Sequence, residues 1–156
     1  MYSEFDIYQA PGHLLRRAQQ LHAAVFSETV SEPDLTTPQF AVLAALRRSP
    51  KIDQVRLCQR MAIDRSTIAD VASRLEERGL IRRERDKLDA RRNLLSLTRK
   101  GKAVHDRTLP EVVEVGRKLL EPLTPGERKQ MIALLTAIIS PHDPFFAESG
   151  GHYPDS

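Results

Sequence analysis

The sequence predicts a mainly α-helical chain with one small β-hairpin, and two changes of pattern indicate it. Apolar residues recur at the helical spacings of three and four positions through most of the chain. The spacing changes to two after Gly79 and returns to three and four after Thr98. The chain has 156 residues, of which 40% are hydrophobic and 29% charged, a balance typical of one globular domain.

The first two predicted helices are separated by the linker SEPDLTTPQ. Pro11 begins the first helix, which ends near Thr29. Thr37 is the expected cap of the second helix, with Pro38 at its first position, and Pro50 ends it. The apolar stripe of the first helix consists of Leu14, Leu15, Ala18, Leu21, Val25 and Phe26.

Two short helices are predicted next. We expect Asp53 to cap the first and Asp64 to cap the second, which runs to Arg78 and stops at Gly79 in a left-handed conformation. The buried stripe of the second helix consists of Ile68, Val71, Ala72 and Leu75, and its exposed face of Ser66, Asp70, Ser73 and Glu77, flanked by Thr67 and Arg74. Short helices joined in this way are typical of a helix-turn-helix, although the turn at 61–63 lacks the common glycine.

A basic β-hairpin follows Gly79. Residues 80–84 predict one strand, residues 86–90 a turn, and Leu95 and Leu97 the return strand. The basic side chains crowded near its tip are Arg82, Arg83, Arg85, Lys87, Arg91 and Arg92. Such a hairpin would repel itself unless it were solvated or placed against phosphate.

Two long helices complete the predicted fold. Thr98 caps one that reaches Leu120 and is kinked at Pro110, and Thr124 caps the other, where Glu127 completes a capping box. The apolar stripe of the last helix consists of Met131, Leu134, Leu135, Ile138 and Ile139. The first and last helices offer more apolar surface than one small domain can bury, so we expect a homodimer.

Charge is distributed unevenly along the chain. Residues 56–102 contain 14 Lys and Arg against 7 Asp and Glu, a net charge of +7, whereas the remainder contains 10 against 14. A basic block in an otherwise acidic chain is typical of a protein that binds a polyanion. The alternative is a solvated charged face in which pairs such as Glu76 with Arg78 cancel locally.

These elements together predict a winged helix-turn-helix flanked by dimerisation helices. Residues 35–101 would form the DNA-binding lobe, residues 1–34 and 102–140 the helical dimerisation region, and residues 141–156 a flexible tail. The chain lacks a run of about 20 apolar residues and a signal-peptide pattern at its N-terminus, so we expect a cytoplasmic protein without membrane contact.

Candidate DNA-binding residues follow from groove geometry. A recognition helix places the side chains of its N-terminal turns at base edges in the major groove, and arginines at a hairpin tip reach the minor groove. The base-edge candidates are Arg65, Ser66, Thr67 and Asp70, with Arg74 beside them. The minor-groove candidates are Arg91 and Arg92, and the candidates for backbone phosphate are Arg82, Arg83 and Lys87.

Three segments resemble the MarR family of bacterial regulators. Residues 64–67 (DRST) and 75–81 (LEERGLI) resemble its recognition helix, and residues 35–40 (LTTPQF) its usual opening of the helix before the DNA-binding lobe. Residues 89–101, with DAR followed by LSLTRKG, are similar to its wing signature. The resemblance covers roughly residues 10–140 and implies an obligate homodimer on a palindromic operator, whose DNA affinity a small ligand usually alters.

The resemblance also implies roles for particular residues. Arg91 matches the wing-tip arginine and Asp89 the acid that orients the wing. Asp70 departs from the basic or neutral polar residue often found at its position, and either accepts from a cytosine amine or pairs with Arg74. Ala62 stands where glycine is commoner in the turn.

A ligand hypothesis rests on residues 11–17 (PGHLLRR). They are similar to the first-helix start of family members that control catabolism of aromatic acids or their CoA thioesters. His13, Arg16 and Arg17 would place donors on an otherwise apolar helix beside a dimer crevice. The hypothesis is an anionic aromatic acid or its CoA thioester as effector.

The function predicted is a sequence-specific DNA-binding transcriptional regulator, a repressor, with no cofactor. An enzyme is disfavoured because the chain has no Gly-rich phosphate loop, nucleophile elbow or HExxH motif. The alternative is a winged-helix module that binds protein, in which charge reversal at Arg91 would leave activity unchanged. Cys58 fits an apolar stripe and predicts a core residue, and without a spacing motif no metal site is predicted at His22, His105 and Asp106.

Overall fold

The computed structural model describes residues 6–143. Its helices are α1 (Pro11–Thr29), α2 (Thr37–Arg48), α3 (Gln54–Met61), α4 (Arg65–Glu77), α5 (Arg99–Leu119) and α6 (Pro125–Ile139), and a single 3-10 turn, Ile7–Gln9, precedes α1. Its strands are β1 (Ile52–Asp53), β2 (Ile81–Arg85) and β3 (Asn93–Leu97). The predicted order of elements is confirmed, and most of the predicted tail lies outside the described residues.

The strands form a three-stranded antiparallel sheet in the order β1-β3-β2. The hairpin pairs Ile81 with Leu97 and Arg83 with Leu95, one residue further along than the predicted first strand. On the other side of β3, Ile52 pairs with Leu95. The prediction of a two-stranded hairpin was therefore incomplete, because a strand of two residues is too short to show a period of two.

Side-chain caps begin the helices at four of the predicted positions. Asp53 accepts from the Arg56 N–H, Asp64 from the Thr67 N–H, Thr98 from the Gly101 N–H and Thr124 from the Glu127 N–H. Each satisfies a backbone donor that the first helical turn leaves without a partner. The ends of the helices agree with prediction within a residue, since Arg78 caps α4 and Leu120 caps α5.

The predicted cap of α2 was wrong by one residue. Thr36, not Thr37, precedes the helix in extended conformation, and its N–H donates to Gln39 Oε1 at 3.1 Å. Thr37 and Pro38 therefore occupy the first two helical positions, where the missing proline N–H removes no intrahelical bond. Gln39 falls three residues after the cap, which allows the reciprocal bond of a capping box.

The turn between α3 and α4 adopts a left-handed conformation without glycine. Ala62 has φ 49° and ψ 37°, and the next N–H, that of Ile63, donates to the Cys58 carbonyl at 3.2 Å. Gly79, as predicted, has a positive φ of 69° after α4. At the start of α5, a Cβ on Gly101 would lie 1.9 Å from the Leu80 carbonyl oxygen, so glycine permits the close approach of α5 to the sheet.

The hydrophobic core lies mainly in the predicted lobe. The largest side chains that are almost completely buried include Leu43, Leu46, Leu57, Ile68, Leu75, Leu80 and Leu95. The predicted stripe of α4 is buried as expected. Cys58 is also buried in this core, as predicted.

The first and last helices leave apolar side chains exposed in the single chain. In α1 only Phe26 is buried, and in α6 no residue is buried. Leu134 and Ile138 of α6 are 57% and 59% exposed. α5 continues as one helix through Pro110. Among residues 6–143, no helix combines the length and apolar character that crossing a membrane requires.

Candidate nucleic-acid interface

The start of α4 is organised around one carboxylate. Asp64 Oδ1 accepts from Ser66 Oγ at 2.5 Å and from the Thr67 N–H at 2.9 Å, and Oδ2 accepts from Thr67 Oγ1 at 2.6 Å. These hydrogen bonds, that of the Ser66 hydroxyl foremost, hold the pKa of Asp64 well below its usual range. Ser66 and Thr67 thus complete the helix cap and are also exposed on its first turn.

The next turn of the exposed face carries an ion pair. Arg74 Nε lies 3.0 Å from Asp70 Oδ2, and both side chains are mostly exposed. Of the two roles considered for Asp70, pairing with Arg74 is the one that the structure contains. An exposed pair at this spacing stabilises a helix only weakly, so either partner can exchange it for another ligand at small cost.

The hairpin tip presents Arg91 through Asp89. Asp89 Oδ1 accepts from the Arg91 N–H and from its Nε, each at 3.1 Å, and Oδ2 accepts from Nη2 at 3.3 Å. These bonds lower the pKa of Asp89 below its usual value, with the Arg91 side chain the largest cause. The Arg91 side chain is 91% exposed, so its guanidinium is in solvent although Asp89 binds it through Nε and Nη2. Arg92 Nε lies 3.8 Å from the same carboxylate.

Acidic side chains offset much of the charge on the hairpin strands. Arg82 Nε donates to Ser96 Oγ at 3.0 Å and lies 3.2 Å from Glu84 Oε1. Arg83 Nε lies 3.6 Å from Glu76 Oε2. These acids add to solvation and phosphate, the two conditions under which so basic a hairpin was expected to be stable. The suggested Glu76–Arg78 pair is replaced by two others, because Glu76 pairs with Arg83 and Arg78 with Glu32.

A depression of about 200 Å³ joins the start of α4 to the hairpin. It brings together Arg65 from α4 with Arg91 and Arg92 from the hairpin, which lie more than 25 positions apart in the sequence. The other lining residues are Asp53, Gln54, Val55, Cys58 and Asn93. Gln54 and Asn93 were not among the sequence candidates, because a lone amide carries no pattern and only the fold places it here.

Cys58 lines this depression and is buried. Burial is the largest influence on its pKa and raises it, while Arg65 lowers it to a smaller extent. A redox-active cysteine needs a thiolate with a lowered pKa. The direction of the shift therefore supports the interpretation of Cys58 as a core residue.

The candidate ligand residues lie on α1, separate from this surface. His13 Nδ1 lies 3.2 Å from Arg16 Nη2, and the ring of Tyr8 meets His13 edge-on with centroids 5.7 Å apart. Arg16 and Arg17 are exposed. The structure thus brings His13 and Arg16 together, with an aromatic ring beside them.

His22 and His105 have structural partners. His105 stacks on Phe40 with ring centroids 5.5 Å apart, and its Nδ1 lies 2.8 Å from Asp106 Oδ1. Asp106 also accepts from Arg47 Nε at 3.2 Å, and His22 lies near the ring of Phe26. Across residues 6–143, no group of three or more His, Cys, Asp or Glu side chains could hold a metal ion.

Comparison with known proteins identifies relatives over most of the chain. A family model described as "MarR family" matches residues 34–92. The chain is 34% identical to the HTH-type transcriptional repressor NicR of Pseudomonas putida over 135 residues. This alignment covers 86% of this chain and 85% of NicR. It is similar to the PcaV transcriptional regulator of Streptomyces coelicolor in complex with its natural ligand, with TM-score 0.81 and 41% identity over 87% of this chain and 96% of PcaV.

A second similar structure concerns the regulation of DNA binding of Bordetella bronchiseptica BpsR by 6-hydroxynicotinic acid. Its TM-score is 0.81 and its identity 32%, and the match covers 87% of this chain and 98% of BpsR. These relatives are regulators of transcription.

Proposed function

The chain belongs to the MarR family of transcriptional regulators, and on that premise we propose that it is a homodimeric, cytoplasmic repressor of a palindromic operator, released by a small aromatic acid. The fold is a winged helix-turn-helix, in which α3 and α4 form the helix pair and β2 and β3 the wing. In this proposal the chain has no catalytic activity.

The observation that carries the proposal is the meeting of Arg65 with Arg91 and Arg92 around one depression. Basic residues from the recognition helix and from the wing thus line one common space. DNA offers phosphates and a negatively charged minor groove at matching positions when a helix enters the major groove. The same groups would give the interface its salt dependence.

Each side chain has a proposed role in this complex. Asp89 orients Arg91 toward the minor groove, where Arg92 follows it. The residues proposed to meet base edges are Arg65, Ser66, Thr67, Asp70 and Arg74, and those proposed to meet phosphate are Arg82, Arg83 and Lys87. Arg83 is the least exposed of the strand arginines and would have to leave Glu76 to reach phosphate.

The exposed apolar faces of α1 and α6 support the homodimer. Exposure of leucine and isoleucine side chains to water is unfavourable. Packing against the same face of a second copy removes these side chains from solvent. In the proposed organisation, residues 1–34 and 102–140 form the dimer and residues 35–101 form the DNA-binding lobe.

One relative supports an aromatic acid as the effector, and a second supports regulation by a ligand. BpsR is regulated by 6-hydroxynicotinic acid, and PcaV was crystallised with its natural ligand. In this chain, His13, Arg16 and Arg17 offer donors for a carboxylate, and Tyr8 adds an aromatic face beside His13. A CoA thioester of such an acid is the second form of the same proposal.

Fluorescence anisotropy tests operator binding directly. The purified full chain is titrated against labelled duplex from the intergenic region upstream of its own gene, and against a scrambled duplex, at two salt concentrations. Tight binding to the first duplex alone, weakened by salt, is the expected result.

The variant Arg91→Glu separates the two candidate functions. Loss of operator binding with unchanged melting temperature supports DNA recognition through the wing. Equal, weak binding of the wild-type protein to both duplexes would contradict operator recognition, and a protein partner retained by Arg91→Glu would favour the interaction module.

A further inference from the structure

Leu88 is unusual among the apolar residues of this protein. Its side chain is 96% exposed, which is the highest exposure of any large hydrophobic side chain in residues 6–143. It occupies the turn of the hairpin, between Lys87 and Asp89. Turn positions ordinarily favour small or polar residues, and a leucine with no burial adds nothing to the stability of this fold.

Hydrogen bonds hold the turn that carries Leu88. The Leu88 N–H donates to Asp86 Oδ1 at 2.9 Å, and the Asp86 N–H donates to the Arg92 carbonyl at 3.0 Å. The Arg92 N–H donates in turn to the Asp89 carbonyl at 2.9 Å. The isobutyl group is thus presented from a turn whose backbone is bonded on both sides, close in sequence to the Arg91 guanidinium.

We propose that Leu88 is an apolar contact of the wing tip with the minor groove of DNA, and that it contributes to operator selection. The inference rests on the DNA-binding function proposed above and adds a residue type to it. Arg91 is drawn to the negative potential of the groove. Leu88 lies against the apolar deoxyribose walls and the edges of the base pairs, a shallower contact than the apolar wedges that other minor-groove proteins insert between base steps.

The charge around Leu88 favours DNA over a protein partner. Lys87, Arg91 and Arg92 are exposed within four positions of it, and the two carboxylates of the turn, Asp86 and Asp89, are occupied by the Leu88 N–H and by Arg91. A single apolar side chain is too small to form a hydrophobic patch of the size that protein interfaces use. A polyanion with apolar groove walls satisfies both the charges and the leucine.

The proposed contact has a signature that differs from that of the basic residues. An apolar contact releases no counterions, so its removal lowers affinity without changing the slope of log K against log salt. The Leu88 contact also depends on the width and the free space of the minor groove, because the side chain must fit between the groove walls. Removal of Lys87 changes the salt slope instead.

The test begins with a duplex that the wild-type protein selects from a random-sequence pool. Hydroxyl-radical protection locates the base pairs whose minor groove the wing covers. Affinities for this duplex and for a scrambled one are measured by anisotropy for the wild-type protein, Leu88→Ala and the matched control Lys87→Ala. A second duplex carries 2,6-diaminopurine in place of adenine at the wing-covered positions, which adds an amino group to the floor of the minor groove.

Leu88→Ala is expected to weaken binding to the selected duplex about tenfold, with an unchanged salt slope and an unchanged melting temperature. Lys87→Ala is expected to reduce the slope of log K against log salt by about one and to weaken binding to both duplexes equally. The diaminopurine duplex is expected to lose affinity for both proteins, because Arg91 meets the same groove, and to lose more for the wild-type protein than for Leu88→Ala, because the added group also obstructs the longer side chain.

Two results would overturn the inference. If Leu88→Ala binds the selected duplex within twofold of the wild-type protein, or is as sensitive to diaminopurine, Leu88 makes no such contact while operator binding itself stands. If the wild-type protein selects no duplex over the scrambled one, the proposed function fails and the inference fails with it. A protein captured by the wild-type wing but not by Leu88→Ala, without DNA selectivity, belongs to that second result.

Discussion

Glu32 and Arg78 connect the linker between α1 and α2 to the C-terminal end of the recognition helix. Arg78 Nη2 lies 3.0 Å from Glu32 Oε1, and the Glu32 side chain is only 9% exposed. Arg78 also donates to the carbonyls of Pro33 at 2.8 Å and Asp34 at 3.1 Å. The second oxygen of Glu32 accepts from Arg107 of α5. One carboxylate therefore holds α4, α5 and the linker in a single arrangement.

The Glu32 network predicts a large loss of stability in Glu32→Gln. The substitution keeps the shape but removes the charge that two guanidinium groups share, which leaves Arg78 partly buried without its counterion. We expect the free energy of unfolding to fall by about 2 kcal/mol. Urea unfolding at one fixed protein concentration measures it, because dimer stability depends on concentration. The exposed Glu28→Gln is the matched control, and an equal effect of the two variants would contradict the prediction.

The Asp64 cap predicts an acid-sensitive recognition helix. Its pKa is lowered in the folded protein, so its contribution to stability is complete above the ordinary carboxyl pKa of about 4 and is lost as the pH falls toward the lowered value. Asp64→Ala should melt several degrees lower at pH 7 and lose less stability than the wild-type protein on acidification. The measurement is the melting temperature as a function of pH, and the control is Asp70→Ala on the same helix. If the melting temperatures of Asp64→Ala and the wild-type protein fall equally as the pH is lowered, the prediction is wrong.

The Asp89–Arg91 pair predicts an affinity change whose sign reveals its role. Removing a negative charge near DNA should strengthen binding if charge alone matters. If Asp89 orients Arg91, as the three hydrogen bonds indicate, Asp89→Asn should weaken operator binding several-fold, less than Arg91→Ala does. Arg91→Ala should also lower the salt slope by about one. Anisotropy titrations across a salt series distinguish the two roles of Asp89, and tighter operator binding by Asp89→Asn would refute the orienting role.

The pairing of His13 with Arg16 predicts which variants lose the effector response. We expect 6-hydroxynicotinic acid, the compound that regulates BpsR, to serve as a first probe of operator release. Arg16→Ala and His13→Ala should bind operator as the wild-type protein does but require at least tenfold more effector for release, because charged hydrogen bonds to a carboxylate are lost. Glu28→Ala on the same helix should respond normally. If both variants release operator at the same concentration of a compound that releases the wild-type protein, His13 and Arg16 do not belong to the effector site.

Local features of this protein were predictable from its sequence. A cap such as Asp64 or Thr98 acts on an N–H three residues away, and the stripe of α4 repeats within two turns. Such interactions span a few positions, so the residues that make them stand together in the chain. The recognition helix and the wing, with Ser66, Asp70 and Arg91 on them, could be located for that reason.

Tertiary structure alone decided which distant residues meet. Glu32 joins Arg78 across 46 positions, Ile52 adds a strand beside Leu95, and Arg65 reaches the depression that it shares with Arg91. Each contact depends on the packing of whole helices and strands against one core, and no local pattern encodes that packing. The sequence therefore determined the elements and the chemistry they carry, and the packed core determined their partners, because such contacts form only when the whole chain is folded.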